Sequence, residues 1–164
     1  MNVTFGGNPL TLKGTQLKAG DKLPDFTVTA NDLSPFKLAD TKGIRVFLTV
    51  PSLDTPVCDL EAKTFNKKAA ELPGVSIYVI SVDLPFAQGR WCAGAGVDAV
   101  KTLSDYHLHS FADATGTYIN ELGLLTRAVF IVDGAGKVVW AQYVPEVTEQ
   151  PDFEAIYAKL KELA

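Results

Sequence analysis

Apolar and polar residues follow one another along this chain in blocks that predict a mixed α/β fold. The β-branched run at 44–50 predicts a buried strand, and the near-continuous apolar run at 75–82 predicts a second one. The segment 57–72 between them carries apolar residues at roughly helical spacing. These positions are Val57, Leu60, Phe65 and Leu72. The three blocks together predict a βαβ unit.

The C-terminal part of the chain predicts two strands followed by a helix. Residues 127–132 and 137–144 predict two strands joined by a tight turn at the glycine-rich segment 134–136. Residues from about 151 to 163 predict a terminal helix. The order β-α-β followed by β-β-α is that of a thioredoxin-like α/β fold, in which the less legible segment 83–125 forms a central insertion.

The N-terminal part adds short strands ahead of this predicted core. Val3–Phe5 and Leu10–Leu12 flank the glycine-rich turn Gly6–Pro9 and predict a β-hairpin extension. Residues 26–30 alternate as a half-buried strand does, and residues 36–38 predict a partner strand nearby.

Composition and charge narrow the class of protein. A chain of 164 residues with 47% apolar and 21% charged residues fits one globular domain spanning 1–164. A net charge of −4 with scattered basic residues argues against a nucleic-acid partner. No apolar run approaches the roughly 20 residues that span a bilayer, so no membrane association is expected. The N-terminus has no signal-peptide pattern, and we expect a cytoplasmic protein.

The candidate chemistry begins at the start of the predicted first long helix. If Thr55 is the N-cap and Pro56 the first helical residue, Cys58 occupies the third helical position. Unpartnered backbone N–H groups and the helix dipole stabilise a thiolate at such a position. The alternative is a buried structural thiol, because free cysteine is among the most buried residue types. The flanking proline, threonine and polar Asp59 favour a helix entrance and a reactive thiol.

A thiolate at this position would not by itself make Cys58 a fast catalyst, even toward a reactive electrophile such as a peroxide. An ordinary thiol is a few per cent ionised at neutral pH, so complete ionisation gains only about thirty-fold in rate. Negative charge develops on the departing oxygen, and preorganised donors are needed to stabilise it. The Thr55 hydroxyl is one candidate, although it could equally be a plain N-cap. Arg127, just before an apolar run, is a second candidate, and Arg45 is placed similarly; either could instead be a strand-end cation bonded to carbonyl groups.

The second cysteine, Cys92, lies in a segment that predicts a frayed helix, because Gly94 and Gly96 follow it closely. A thiol in a mobile segment can resolve a sulfenic acid before over-oxidation. The alternative is a packed, inert cysteine. Two cysteines in a cytoplasmic chain are more plausibly reactive than structural, since the reducing cytosol disfavours permanent disulfides.

A zinc site is the obvious rival for these thiols, but the spacing does not favour one. The cysteines and the two histidines, His107 and His109, lack the paired spacings of zinc modules. No glycine-rich phosphate or dinucleotide loop is present either. We therefore expect no metal and no cofactor.

Several segments resemble the peroxiredoxin family, specifically its atypical two-cysteine thiol peroxidase branch. The spacing of Pro51, Thr55 and Cys58 is similar to the family's peroxide-reducing motif. The segments 80–92 and 124–133 resemble the branch strongly, and the similarity extends to both ends of the chain. The matching end segments are Phe5 to Pro9 and Pro151 to Phe153.

This resemblance implies roles for five residues. Cys58 corresponds to the peroxidatic cysteine and Cys92 to the resolving cysteine. Thr55 and Arg127 correspond to activating partners, and Pro51 corresponds to the loop proline that shields the site. The implied activity is reduction of hydrogen peroxide and alkyl hydroperoxides through a sulfenic acid and an intramolecular disulfide. Thioredoxin is the implied reductant and a homodimer the implied assembly.

Two other functions fit parts of the pattern. A peroxide sensor or chaperone-like module would use the same oxidation as a switch, without rapid recycling. A thioredoxin-type oxidoreductase would need a Cys-x-x-Cys pair at the helix start, where this chain has Thr55 in place of the first cysteine.

Overall fold

The computed structural model describes residues 1–97 and 99–163. Its strands are β1 (Asn2–Phe5), β2 (Asn8–Thr11), β3 (Thr27–Thr29), β4 (Pro35–Lys37), β5 (Ile44–Thr49), β6 (Val75–Ser81), β7 (Lys101–Ser104), β8 (Tyr118–Ile119), β9 (Leu124–Leu125), β10 (Ala128–Val132) and β11 (Val138–Tyr143). Its α-helices are α1 (Pro56–Ala69), α2 (Pro85–Ala95), α3 (Ser110–Thr115) and α4 (Phe153–Leu163), and a 3₁₀ turn covers Leu38–Asp40.

A seven-stranded sheet in the order β11-β10-β5-β6-β7-β3-β4 forms the centre of the molecule. Strands β5, β6 and β7 are parallel, and β10 pairs antiparallel with β5 and with β11. The predicted β-α-β and β-β-α units are therefore present in the predicted order. The middle segment inserts α2, β7 and α3 between them.

Apolar side chains pack on both faces of this sheet. One layer is built around α1 and α4, with Phe65, Ile156 and Leu160 fully buried against the sheet. The other layer contains α3 and a group of aromatic rings in mutual contact, Phe26, Phe47, Phe111 and Phe130 among them. Residues of β5 alternate between the two layers, as the two-residue period of a strand requires.

The predicted buried stripe of α1 is confirmed at Phe65, which is fully buried, and is wrong at Leu60. Leu60 was expected on the apolar face, but it is 57% exposed. The face that is buried carries Cys58, Glu61, Ala62 and Phe65, which recur at the spacing of one helical face. Because two of these four side chains are polar or weakly apolar, the hydrophobic pattern pointed to a neighbouring face. The helix also ends at Ala69, three residues before the predicted Leu72.

The N-terminal hairpin is present with a tighter turn than predicted. β2 begins at Asn8, so only Gly6 and Gly7 connect the strands, with φ of 58° and 84°. Both values lie in the left-handed region that two-residue hairpin turns require and glycine tolerates. A small core containing Val3, Leu10 and Val147 holds the hairpin against the rest of the chain.

Candidate active site

The loop that precedes α1 is held by an aspartate from the neighbouring strand end. Asp83 follows β6 and accepts hydrogen bonds from Ser52 Oγ at 2.7 Å and from the Leu53 backbone N–H at 2.9 Å. The hydroxyl of Ser81 also donates to it, at 2.7 Å. Because the carboxyl ends of parallel β5 and β6 lie side by side, one carboxylate can fix the loop that begins at the buried Pro51.

Thr55 is the N-cap of α1, as the sequence predicts. Its backbone is extended, Pro56 opens the helix, and its Oγ1 accepts a hydrogen bond from the Cys58 N–H at 3.4 Å. The same hydroxyl donates to the Ser52 carbonyl at 3.0 Å. The cap therefore fixes Cys58 at the third helical position, where the helix dipole favours negative charge.

Arg127 is distant from Cys58 in the sequence, but the fold places its positive charge beside the cysteine sulfur. Its Nη2 donates to Cys58 Sγ at 3.1 Å, and both residues are buried. Its Nε donates to the Val147 carbonyl at 2.9 Å, and its Nη1 donates to the Glu61 carboxylate. With the guanidinium held from two other directions, its contact with the sulfur is set in advance.

Arg45, the other candidate cation, lies elsewhere. Its Nε donates to the Gly43 carbonyl at 3.0 Å, its Nη1 donates to Thr41 Oγ1 at 2.9 Å, and its Nη2 donates to the Asp133 carbonyl. It is a strand-end cation bonded mainly to backbone oxygens. The structure thus separates two arginines that the sequence placed in equivalent settings.

A small pocket of about 60 Å³ is lined by residues next to Cys58 in sequence or in contact with it, whereas Cys58 itself is fully buried behind that lining. Its walls are mostly apolar, and its polar groups are those of Arg127 and the two threonines. The lining residues are Phe5, Pro51, Thr55, Val57, Arg127, Val147 and Thr148. Pro51, Thr55 and Arg127 were singled out from the sequence, and here they surround one space. Phe5 and Val147 come from distant segments, and no local pattern indicated them.

Cys92 lies on α2 in a different environment. Its side chain is partly exposed, and its Sγ lies 3.4 Å from Thr102 Oγ1 on β7. The Thr102 hydroxyl donates to Asn31 Oδ1 at 3.2 Å, so the thiol is the donor in its own contact. Both cysteines are free thiols, and they contact different partners. A disulfide between them would require local rearrangement.

Known proteins resemble this chain along most of its length. The family model described as Redoxin matches residues 18–159. The thiol peroxidase of Clostridium acetobutylicum is 55% identical over 156 residues, 95% of each chain. The chain belongs to the Redoxin family. It is a peroxiredoxin, and its activity is that of a thiol-dependent peroxidase.

Further relatives agree with this assignment. The thiol peroxidase of Bacillus subtilis is 52% identical to this peroxiredoxin over 153 residues, 93% of this chain and 92% of its own. A peroxiredoxin-like protein from Aquifex aeolicus superposes with a TM-score of 0.93 at 42% identity, covering 99% of this chain and 97% of its own. The predicted family and the predicted thioredoxin-like fold are confirmed.

Glu61 is a further site residue of this peroxiredoxin that the sequence analysis did not identify. It is fully buried, and its carboxylate pairs with Arg127. Burial raises the pKa of Glu61 to about 7, although the charge and hydrogen bond of Arg127 act in the opposite direction. Its position one helical turn after Cys58 was the available signal, since residues three apart share a helix face.

Glu146 attaches the N-terminal hairpin to the pocket. Its carboxylate accepts hydrogen bonds from the N–H groups of Gly6 at 3.1 Å and Gly7 at 2.8 Å, and from Thr4 Oγ1 at 2.9 Å. Hydrogen bonds from Thr148 contribute most to lowering the pKa of Glu146 to about 2. Because Phe5 adjoins the clamped turn, Glu146 positions one wall of the pocket.

The remaining ionisable side chains do not form a recognisable metal site. Among residues 1–97 and 99–163, no three or more His, Cys, Asp or Glu side chains are grouped so that they could hold a metal ion. His107 is exposed and stacks on the Tyr106 ring at a centroid distance of 5.8 Å. Within the same described ranges, no helix has the length and apolar character needed to cross a membrane.

Proposed function

We propose that Cys58 is the nucleophile of this peroxiredoxin. The observation that carries the proposal is the 3.1 Å contact between Arg127 Nη2 and Cys58 Sγ at a capped helix start. The thiolate attacks one oxygen of a hydroperoxide, so that an S–O bond forms and the O–O bond breaks. Sulfur is oxidised to a sulfenic acid, and the departing oxygen leaves as hydroxide or alkoxide and takes up a proton.

Arg127 and Thr55 stabilise this transition state. The Arg127 guanidinium lies against the sulfur and the pocket, where it can hold a peroxide oxygen as negative charge develops on it. The Thr55 hydroxyl also lines the pocket, and it can donate to the peroxide if its proton turns away from the Ser52 carbonyl. Pro51, a buried wall residue, keeps water from the thiolate.

Cys92 then resolves the sulfenic acid. Its thiol attacks the oxidised sulfur, water leaves, and a disulfide forms within one chain. The start of α1 and the segment around α2 must open locally for the two sulfurs to meet. The partial exposure of Cys92 and the glycines within α2 support such an opening. A thioredoxin reduces the disulfide by thiol exchange.

The small, mostly apolar pocket supports hydrogen peroxide and alkyl hydroperoxides as substrates, since an alkyl group would meet Phe5, Val57 and Val147. We further propose that residues 1–164 act as one domain, that two copies form a homodimer, and that the protein works in the cytoplasm. Both core layers pack against the same sheet, one on each face, which supports a single domain.

Titration of the reduced protein with stoichiometric hydroperoxide tests this cycle. We expect loss of both thiols per chain and a product of monomer mass on a non-reducing gel. In the Cys92→Ser variant, we expect one thiol to be lost at an unchanged initial rate, with oxidation stopping at the sulfenic acid. A disulfide-linked dimer in the wild type would contradict the role of Cys92. Slow loss of the Cys58 thiol would contradict the role of Cys58.

A thioredoxin-recycling assay separates an enzyme from a sensor. We expect continued peroxide consumption when thioredoxin and its reductase are supplied, because the disulfide is returned to two thiols at each turn. A single oxidation without recycling would favour a peroxide sensor.

A further inference from the structure

The buried cluster of Cys58, Arg127 and Glu61 holds one permanent positive charge and two groups that can each be negative. Arg127 contacts both acids directly, through Nη1 and Nη2. All three side chains are at most 2% exposed. Arg127 is the charged group that the structure places against Glu61, and Cys58 is the other titratable group that shares it. One guanidinium can neutralise only one anion at a time.

Glu61 also has an unused oxygen. Its Oε2 accepts from Arg127, whereas its buried Oε1 has no hydrogen-bond partner within residues 1–97 and 99–163. A buried carboxylate oxygen without a donor is costly when charged. The same oxygen can carry a proton without breaking the Arg127 contact, because that contact uses the other oxygen. The geometry therefore suits a carboxyl group that alternates between ionised and protonated forms.

We propose that Glu61 stores the proton that Cys58 gives up, so that the two side chains share one proton under Arg127. The inference rests on the proposed nucleophilic role of Cys58. In the resting exchange, the Cys58 S–H bond breaks and the Glu61 Oε1–H bond forms, which yields a thiolate and a neutral carboxylic acid. The cluster keeps a net charge of zero before and after this transfer. Two ionised acids beside one guanidinium would leave a buried negative charge.

Burial supports this assignment, because desolvation raises the pKa of Glu61 to about 7 despite the adjacent guanidinium. A carboxyl group with that affinity can hold a proton at neutral pH when Arg127 is engaged by a thiolate.

The stored proton has a use in the reaction. When the thiolate attacks the hydroperoxide, sulfur loses its charge and Arg127 again faces Glu61 alone. Glu61 ionises at that point and releases one proton, while the departing hydroxide or alkoxide gains one. Proton release and proton uptake then balance within each oxidation, and the buried cluster never carries an uncompensated charge.

Counting protons during alkylation of Cys58 tests the proposal. The Cys92→Ser variant, with Cys58 as its single thiol, is alkylated with iodoacetamide in weak buffer, and an indicator dye reports protons. Ultraviolet absorbance establishes beforehand that Cys58 is a thiolate. The measurement is made about one pH unit above the pKa of about 7 that Glu61 has beside Arg127, so that a Glu61 facing Arg127 alone is ionised. We then expect release of about one proton per alkylated thiolate, because Glu61 ionises when the sulfur becomes neutral. The Glu61→Gln variant in the same background should release none. A thiolate that is alkylated without proton release would overturn the proposal.

Infrared spectroscopy provides a second measurement that does not depend on alkylation. At the same pH as the proton count, we expect the thiolate form of the Cys92→Ser variant to show a carbonyl band of a protonated carboxylic acid. The band should be absent when Glu61→Gln or Cys58→Ser is added. Absence of the band from the thiolate form would also overturn the proposal. A parallel peroxide assay keeps the two claims distinct. Slow peroxide reduction with normal proton release would contradict the nucleophilic function alone, because neither proton measurement uses peroxide.

Discussion

The helix that carries Cys58 and the helix that carries Cys92 are held in different ways. α1 begins with a side-chain cap from Thr55 and buries Cys58, Glu61, Ala62 and Phe65 against the sheet. α2 has no side-chain cap, buries only Pro85 and Gln88, contains two glycines and ends at Gly96 in the left-handed conformation. Each glycine in a helix interior costs roughly 1 kcal/mol relative to alanine. The first helix has a capped start and a buried face, whereas the second has features that favour the local opening proposed for Cys92.

This contrast matches the two chemical steps. Peroxide reduction needs donors that are already placed around the thiolate, and reorganisation there would slow it. Disulfide formation needs the two sulfurs to approach from separate environments, which favours a segment of low local stability. Polar contacts at three residues hold α2 in place. Gln88 Nε2 donates to the Ser81 hydroxyl and to the Leu103 carbonyl, and Cys92 contacts Thr102. The third is the hydrogen bond from Trp91 Nε1 to Asp59 Oδ1 at 2.8 Å. That bond joins α2 to α1.

Removing Arg127, which contacts Cys58 on α1, should have the largest effect on the rate of peroxide reduction. We expect Arg127→Ala to lower kcat/KM for hydroperoxide by about 10²–10³, the usual loss for one preorganised donor at developing charge. Alkylation of Cys58 should slow much less, since it develops no charge on a peroxide oxygen. Stopped-flow measurement of both rates checks this.

Arg45→Lys is the matched control, because Arg45 lies at the opposite end of β5 from the site and bonds mainly to carbonyl groups. It should leave the peroxide rate unchanged. Equal losses in the alkylation and peroxide rates of Arg127→Ala would refute a specific transition-state role.

Replacing Thr55 should have a smaller effect of the same kind. Thr55→Val removes one neutral hydroxyl donor, and we expect peroxide reduction to fall about tenfold. Loss of the cap should also lower the free energy of unfolding by about 1 kcal/mol. Thr64→Val serves as the control on the same helix, since the partly exposed Thr64 hydroxyl donates to the Leu60 carbonyl and makes no other hydrogen bond within residues 1–97 and 99–163. A peroxide rate equal to that of this control would limit Thr55 to capping.

Weakening the attachment of α2 should sharpen the contrast between the helices. Trp91→Phe keeps most of the ring but loses the bond to Asp59, and we expect faster amide exchange across α2. Disulfide formation after oxidation should accelerate by up to about tenfold, as expected for the loss of one hydrogen bond. The first oxidation should be unchanged.

Trp140→Phe is the control for that substitution, since the buried Trp140 Nε1 makes no hydrogen bond within the described residues. If disulfide formation in Trp91→Phe matched that in Trp140→Phe, the Trp91 contact would not limit the opening.

Removing the carboxylate of Glu146, which accepts hydrogen bonds from the N-terminal hairpin, should have the smallest effect on the reaction. The pKa of Glu146 is lowered from 4.5 to about 2, so its contribution to stability is present above pH 4.5 and is lost as the pH falls toward 2. We expect Glu146→Gln to lower the urea midpoint at neutral pH and to raise amide exchange at Gly6 and Gly7. The difference in urea midpoint between this variant and the wild type should become smaller as the pH falls toward 2. Glu149→Gln, a nearby exposed substitution, should show no such narrowing.

The elements of the core could be predicted from the sequence, because their signals are local. The strands at 44–49 and 75–81 lie within their apolar runs, and the helix begins at Pro56 after a threonine cap, as expected. The buried face of α1 could not be predicted in the same way. Its stripe includes Glu61, and periodicity in hydrophobicity does not reveal a charged residue whose partner is Arg127.

What the sequence determined by itself is the placement of a cysteine at a helix start, because caps, prolines and strand periodicity act over a few residues. Tertiary structure decided which arginine reaches the sulfur, which carboxyl group shares that arginine, and that Phe5 forms a wall of the pocket. These contacts join segments far apart in the chain, and their formation depends on the sheet order and on the close packing that follows from it.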